Sequence, residues 1–133
     1  MSPLTPFPPP AEIAGEEMRT LVRIGFHGLF NGRPALALRL FEALTHLRPD
    51  RAFPYVGRAL ALTMVGRAGE AVRVLEGEGR IACPKDESIT LFLGVALHFD
   101  GRLSRARQVL SSVAENAEGA ALARELLLSP LRR

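Results

Sequence analysis

Apolar residues recur along the chain in short stripes at three-to-four spacing, broken at a nearly constant interval by turn signals. Leu21, Ile24, Gly25 and Leu29 mark one face of a first helix, and Asn31-Gly32 ends it. Pro34 stands where a second helix begins, a position at which the missing N–H costs nothing. Leu36, Leu40, Phe41 and Leu44 form the stripe of that helix, and Pro49 closes it. The pattern then restarts. Tyr55, Ala59 and Leu62 precede a turn at Gly66, and Ala71, Val74 and Leu75 follow it, with a loose Gly77-Glu78-Gly79 stretch before Cys83-Pro84. A third round runs through Phe92, Leu93, Gly94 and Leu97, turns at Asp100-Gly101 and continues through Ala106, Val109, Leu110 and Val113.

The interval is what turns these stripes into an architecture. Gly32 to Gly66 is 34 residues and Gly66 to Gly101 is 35; Ala37, Ala71 and Ala106 keep the same steps, as do Gly25, Ala59 and Gly94. Pro49 recurs 35 residues on as Pro84. Self-similarity at such a period predicts a stack of repeated supersecondary units. Each unit reads as a helical hairpin, and the small residues in mid-helix predict close helix–helix approach, because glycine there otherwise costs about 1 kcal/mol relative to alanine. Residues 118–128, EGAALARELLL, read as one more amphipathic helix capping the open end of the stack. Residues 1–10, MSPLTPFPPP, cannot be helical and are expected to be extended. The expected fold is therefore all-α: a solenoid of three hairpins plus a C-terminal capping helix, with one domain over residues 11–129 and repeats at about 18–51, 52–86 and 87–118.

Composition narrows the function more than the fold. The chain has 133 residues, 47% of them hydrophobic, and a mean hydropathy of +0.12 despite 23% charge. That surplus suggests apolar surface kept for a partner. No stretch approaches 18 uninterrupted apolar residues, so no membrane insertion is expected. The N-terminus lacks the basic and apolar regions of a secretory signal, and one cysteine, Cys83, cannot build a disulfide framework. A cytoplasmic location follows. Of 17 basic residues only Lys85 is not arginine, which raises the pI to about 10.0 on a net charge of only +3. The arginines are scattered among 14 acids rather than gathered in a stripe with stacking aromatics, so nucleic acid is not the expected partner.

Catalysis finds no footing. His27, His46 and His98 lie apart in the repeat frame with no cysteine or carboxylate at ligand spacing, so no metal site is expected. Cys83 lacks a paired base and reads as a small apolar filler rather than a nucleophile. Gly77-Glu78-Gly79 lacks the strand, lysine and hydroxyl of a phosphate loop. No cofactor is called for, and the chain is not expected to be an enzyme.

Small residue, turn glycine, alanine, bulky apolar residue and proline at about 34 residues together resemble the tetratricopeptide repeat (TPR). Unit one carries Gly25, Gly32, Ala37, Phe41 and Pro49; unit two carries Tyr55, Ala59, Gly66, Ala71 and Leu75; unit three carries Gly94, Gly101, Ala106 and Leu110. Gly28 and Thr90 depart from the aromatics usual in the family, and unit three has no closing proline. A short chain of three such units also resembles the small TPR chaperones of bacterial type III secretion. That resemblance implies a cytoplasmic protein that holds an apolar segment of a secreted or export-apparatus partner.

In stacked hairpins of this kind the first helices line a concave face. Positions one-third of a turn from the packing face are Arg19, Val22, Phe26 and Leu29, then Phe53, Val56, Leu60 and Thr63, then Ser88, Leu91, Val95 and His98. Eight of these twelve are plainly apolar. The expected partner-binding groove is accordingly Val22, Phe26, Leu29, Phe53, Val56, Leu60, Leu91 and Val95, with His98 as a polar rim contact. Arg19 is the single basic residue of the set, which argues for a protein or peptide client with apolar anchors rather than a carboxylate clamp. The alternatives are that these positions are covered by the chain itself or by a second copy in a homodimer, or that the repeats serve as a structural assembly subunit.

Overall fold

The computed structural model describes residues 27–28 and 31–113. His27 and Gly28 are helical, and six further α-helices follow: α1 (Pro34–Leu47), α2 (Ala52–Met64), α3 (Ala68–Arg73), α4 (Arg80–Ala82), α5 (Glu87–Phe99) and α6 (Leu103–Ser111). A π-helical segment, Val74–Gly79, joins α3 to α4 in one continuous rod. Among the described residues there is no strand. Helix α1 is the second helix of unit one, α2 with the α3–π–α4 rod is unit two, and α5 with α6 is unit three. The fold is the expected all-α stack of TPR-like hairpins. The other positions expected for the first helix of unit one, the expected capping helix at 118–128 and the segment 1–10 lie outside the described residues.

The three turns are built alike, for a backbone reason. Gly32, Gly66 and Gly101 have φ of +76°, +84° and +82°, the left-handed conformation that a side chain disfavours. After each glycine the next N–H reaches back five residues: Arg33 N–H to Gly28 O at 2.8 Å, Arg67 to Leu62 at 2.8 Å and Arg102 to Leu97 at 3.0 Å. The glycine N–H of the second and third turns bonds three residues back, at 3.1 Å each, completing a Schellman closure. Repeated Gly-Arg dipeptides are thus the end of one helix and the cap of the next.

Packing explains the small residues. The Phe41 ring, fully buried, lies on Gly57, where a Cβ would come within 2.3 Å of it. Gly94 faces Leu110 in the same manner, at 2.6 Å. One core cluster joins Ala37, Phe41 and Leu44 of α1 to Ala61 of α2. The larger one runs from α2 through the α3–π rod to α5 and α6, with Leu75, Ile89 and Leu97 at 0% exposure. Tyr55 extends it to the preceding loop: its buried phenol, held above the usual tyrosine pKa by desolvation, donates to Pro49 O at 2.6 Å.

The π segment accounts for the uneven repeat. Ala37 to Ala71 and Phe41 to Leu75 are both 34 residues, whereas Pro49 to Pro84 is 35. The extra residue therefore enters between Leu75 and Pro84. A π turn widens the helix by one residue without turning later side chains off their face, and it sits at Val74–Gly79. Its Gly79 is buried against Tyr55 and Ile89, where a Cβ would lie 3.0 Å from Ile89 Cδ1. Glu78 takes both terminal nitrogens of Arg58 on α2, at 2.9 and 3.2 Å, and Glu76 pairs with Arg105 on α6. The rod is pinned on both sides.

Candidate functional site

The predicted groove residues are not all open, and this corrects the expectation of an exposed greasy face. Val56 is 5% exposed and belongs to the central core; Leu91, at 6%, packs with Leu110 and Val113; Val95 and His98 are likewise buried, at 7% and 8%. The expectation assumed two-faced helices. In α5 eight residues from Ile89 to His98 are buried, on every side of the helix, and a helix apolar all round is buried all round. His98 is packed edge-on against Phe99, ring centroids 5.5 Å apart, rather than standing on a polar rim. Val22, Phe26 and Leu29 lie outside the described residues.

What remains accessible follows one line on α2. Phe53 and Leu60 are half-buried, packed against the Phe41 cluster, and Met64 is 50% exposed. Spacings of seven and eleven residues put the three on one narrow stripe. Phe99 is the equivalent of Met64 in unit three and is 55% exposed. Sequence reasoning passed over Met64 and Phe99 because it stopped one position short, at Thr63 and His98. Their recurrence at two residues before the turn glycine was the available signal.

A second feature had no counterpart in the sequence expectations. An open groove of about 520 Å³ lies between α1, α2 and α3, floored by Leu38, Leu62, Val65 and Val74. Arg39, Arg58 and Arg67 stand around it with Glu42 and Glu70. The Arg58 side chain is 16% exposed, and its Nε is buried with no acceptor. None of the twelve positions predicted for the concave face lines this groove.

Cys83 is half-buried and its thiol donates to Asp50 O at 3.5 Å; burial pushes it up, away from the thiolate. His27 and His46 are exposed. Among the described residues no three His, Cys, Asp or Glu side chains gather as a metal site, and no helix is long and apolar enough to cross a membrane.

A stack of antiparallel helical hairpins with a half-open apolar stripe on a first helix is an architecture that other proteins use to hold polypeptide segments. The chain shares its fold with a translocator chaperone of type III secretion, SycD of Yersinia enterocolitica. Two SycD structures superpose with a TM-score of 0.68 each. One, described as an alternative dimer, is 20% identical, the match covering 87% of this chain and 92% of SycD. The other is 19% identical and covers 87% and 82%. No family model matches the chain, and no curated protein is similar to it in sequence.

Proposed function

We propose that the protein is a small cytoplasmic chaperone of the type III secretion kind, holding an apolar segment of a secreted or export-apparatus partner against its first helices. The observation that carries this reading is the likeness to SycD over nearly the whole of both chains. The composition agrees with it, since the chain is richer in apolar residues than its charge would suggest. Contact with the client falls first on Phe53, Leu60 and Met64 of α2. Val56, Leu91 and Val95 are buried, and a client reaches them only by drawing the first helices apart.

The burial pattern decides how to test the reading. Val56→Asp or Leu91→Asp would place a charge in the core and unfold the chain, so either would report on folding. Phe53→Ser with Leu60→Ser touches half-buried positions instead. Coexpression with an apolar substrate of the same secretion system should keep that substrate soluble with the wild type and leave it in the pellet with the double variant. The variant must still melt cooperatively. A substrate equally soluble with both, or without the chain, would sink the proposal.

A second reading is self-association, favoured by the exposure of Leu36, Met64 and Phe99 at 57%, 50% and 55% and by the dimer described for SycD. Light scattering across a concentration series separates it: a dimer that persists when client is added, with no client bound, supports the structural reading.

A further inference from the structure

Exposed large apolar residues usually scatter over a surface. Among the described residues there are six, and five of them, Leu36, Met64, Val65, Phe99 and Leu103, lie within four residues of a turn glycine. In a stack of hairpins the three turns share one edge. Two observations show that this edge is continuous. The groove brings Ala35 and Leu38, just after the first turn, beside Val65 and Arg67 of the second. A Cβ on Gly69, just after the second turn, would lie 3.5 Å from Asp100 of the third. The one residue that all three turns repeat after glycine is arginine: Arg33, Arg67 and Arg102.

Those arginines have unused capacity. Arg33 is exposed and has no partner among the described residues. Arg67 donates only Nη2 to Glu70, and Arg102 meets Asp100 only through Nε, at 3.0 Å, while both side chains stay about half exposed, at 52% and 50%. A guanidinium carries five N–H donors, so each retains most of its fork. Of the acids near the edge, Glu70 and Asp100 are each engaged by an arginine, and Glu42 lines the groove with Arg67. What the edge offers is unfilled guanidinium donors, and besides them apolar area with a socket floored by Leu38, Leu62 and Val65.

We propose that the hairpin-turn edge docks an acidic amphipathic segment of a partner protein, with its carboxylates on Arg33, Arg67 and Arg102 and its apolar side chains on Leu36, Met64, Phe99 and Leu103. A nucleic-acid strand or an anionic bilayer fits less well. Both would press phosphates against Glu42, Glu70 and Asp100, whereas a peptide places its charges one at a time. The surface meets the Phe53 and Leu60 stripe only at Met64; Arg33, Leu36, Arg67, Phe99, Arg102 and Leu103 lie off that stripe, and the proposal stands without the chaperone reading.

The test is fluorescence anisotropy of the whole chain with a labelled peptide about four helical turns long, leucines on one face and glutamates elsewhere. A peptide with lysine in place of glutamate and phosphatidylglycerol vesicles are the other arms. The acidic peptide should bind, weaken with salt, and weaken at least about tenfold, some 1.4 kcal/mol, when Arg33, Arg67 and Arg102 are changed to Gln. Leu36→Ser with Leu103→Ser should weaken it similarly, and Phe53→Ser with Leu60→Ser should leave it unchanged. Should the triple variant fail to fold, Arg33→Gln alone, which loses no partner in the fold, should still weaken binding severalfold. Equal binding of both peptides, an unchanged affinity in the arginine variants, or binding to vesicles but not to peptide would overturn the proposal.

Discussion

Glycine in this chain answers to two separate physical demands and at a third position to neither, and substitution should tell the three apart. At Gly57 the demand is space: an added methyl meets the fully buried Phe41 ring at 2.3 Å, so Gly57→Ala should destabilise by about 1–3 kcal/mol in urea titration despite the better helix propensity of alanine. At Gly66 the demand is the +84° backbone, and Gly66→Ala should cost about 1–2 kcal/mol with no clash at all. At Gly77 nothing lies within 4 Å of an added Cβ, so Gly77→Ala should be neutral or stabilise by up to about 1 kcal/mol. Gly57 belongs to no repeated marker, which is why periodicity alone did not single it out; Gly25, Ala59 and Gly94 did stand out because they recur. The residue scale also holds an acid-sensitive contact. Its hydrogen bond to Arg105 holds Glu76 below its ordinary value of 4.5. A carboxylate whose pKa is depressed by folding stabilises the fold above its unfolded pKa, and that contribution is lost as the pH falls through the folded value. Urea titrations of wild type and Glu76→Gln should therefore differ at pH 7 and converge as the pH drops well below 4.5.

Among the elements, the α3–π–α4 rod makes the most specific claim. If Val74–Gly79 is a one-residue insertion absorbed as a π turn, deleting Gly77 restores the 34-residue interval and an ordinary helix. That variant should melt cooperatively, as followed by circular dichroism. Deleting Arg39 from the regular helix α1 turns Phe41 and Leu44 about 100° off the core face and should abolish the cooperative transition. The insertion was written in the intervals, since the proline step is 35 where the alanine and phenylalanine steps are 34; that it becomes a π turn depends on packing between α2 and α5, which no local pattern carries. The helix boundaries were legible for a simpler reason. Glycine, proline and asparagine mark them in the chain itself.

At the level of the whole molecule, the sequence announced the stack but misjudged its hollow. Three turns, paired helices and small-residue contacts all come from periodic chemistry, and periodicity survives translation into structure. Which apolar residues stay open depends on how tightly the helices close. Val56, Leu91, Val95 and His98 share the helical phase of Phe53 and Leu60 closely enough that spacing could not separate buried from open. On the proposed reading, their burial leaves the α2 stripe as the place where a client first meets the chain. Hydrogen exchange of the amides, compared with and without a bound apolar client, tests this most directly. The account predicts protection concentrated in residues 52–64 and 87–99, with the outer helix α6 unchanged. Protection confined to α1 and α6, or an exchange pattern identical in the two states, would contradict it.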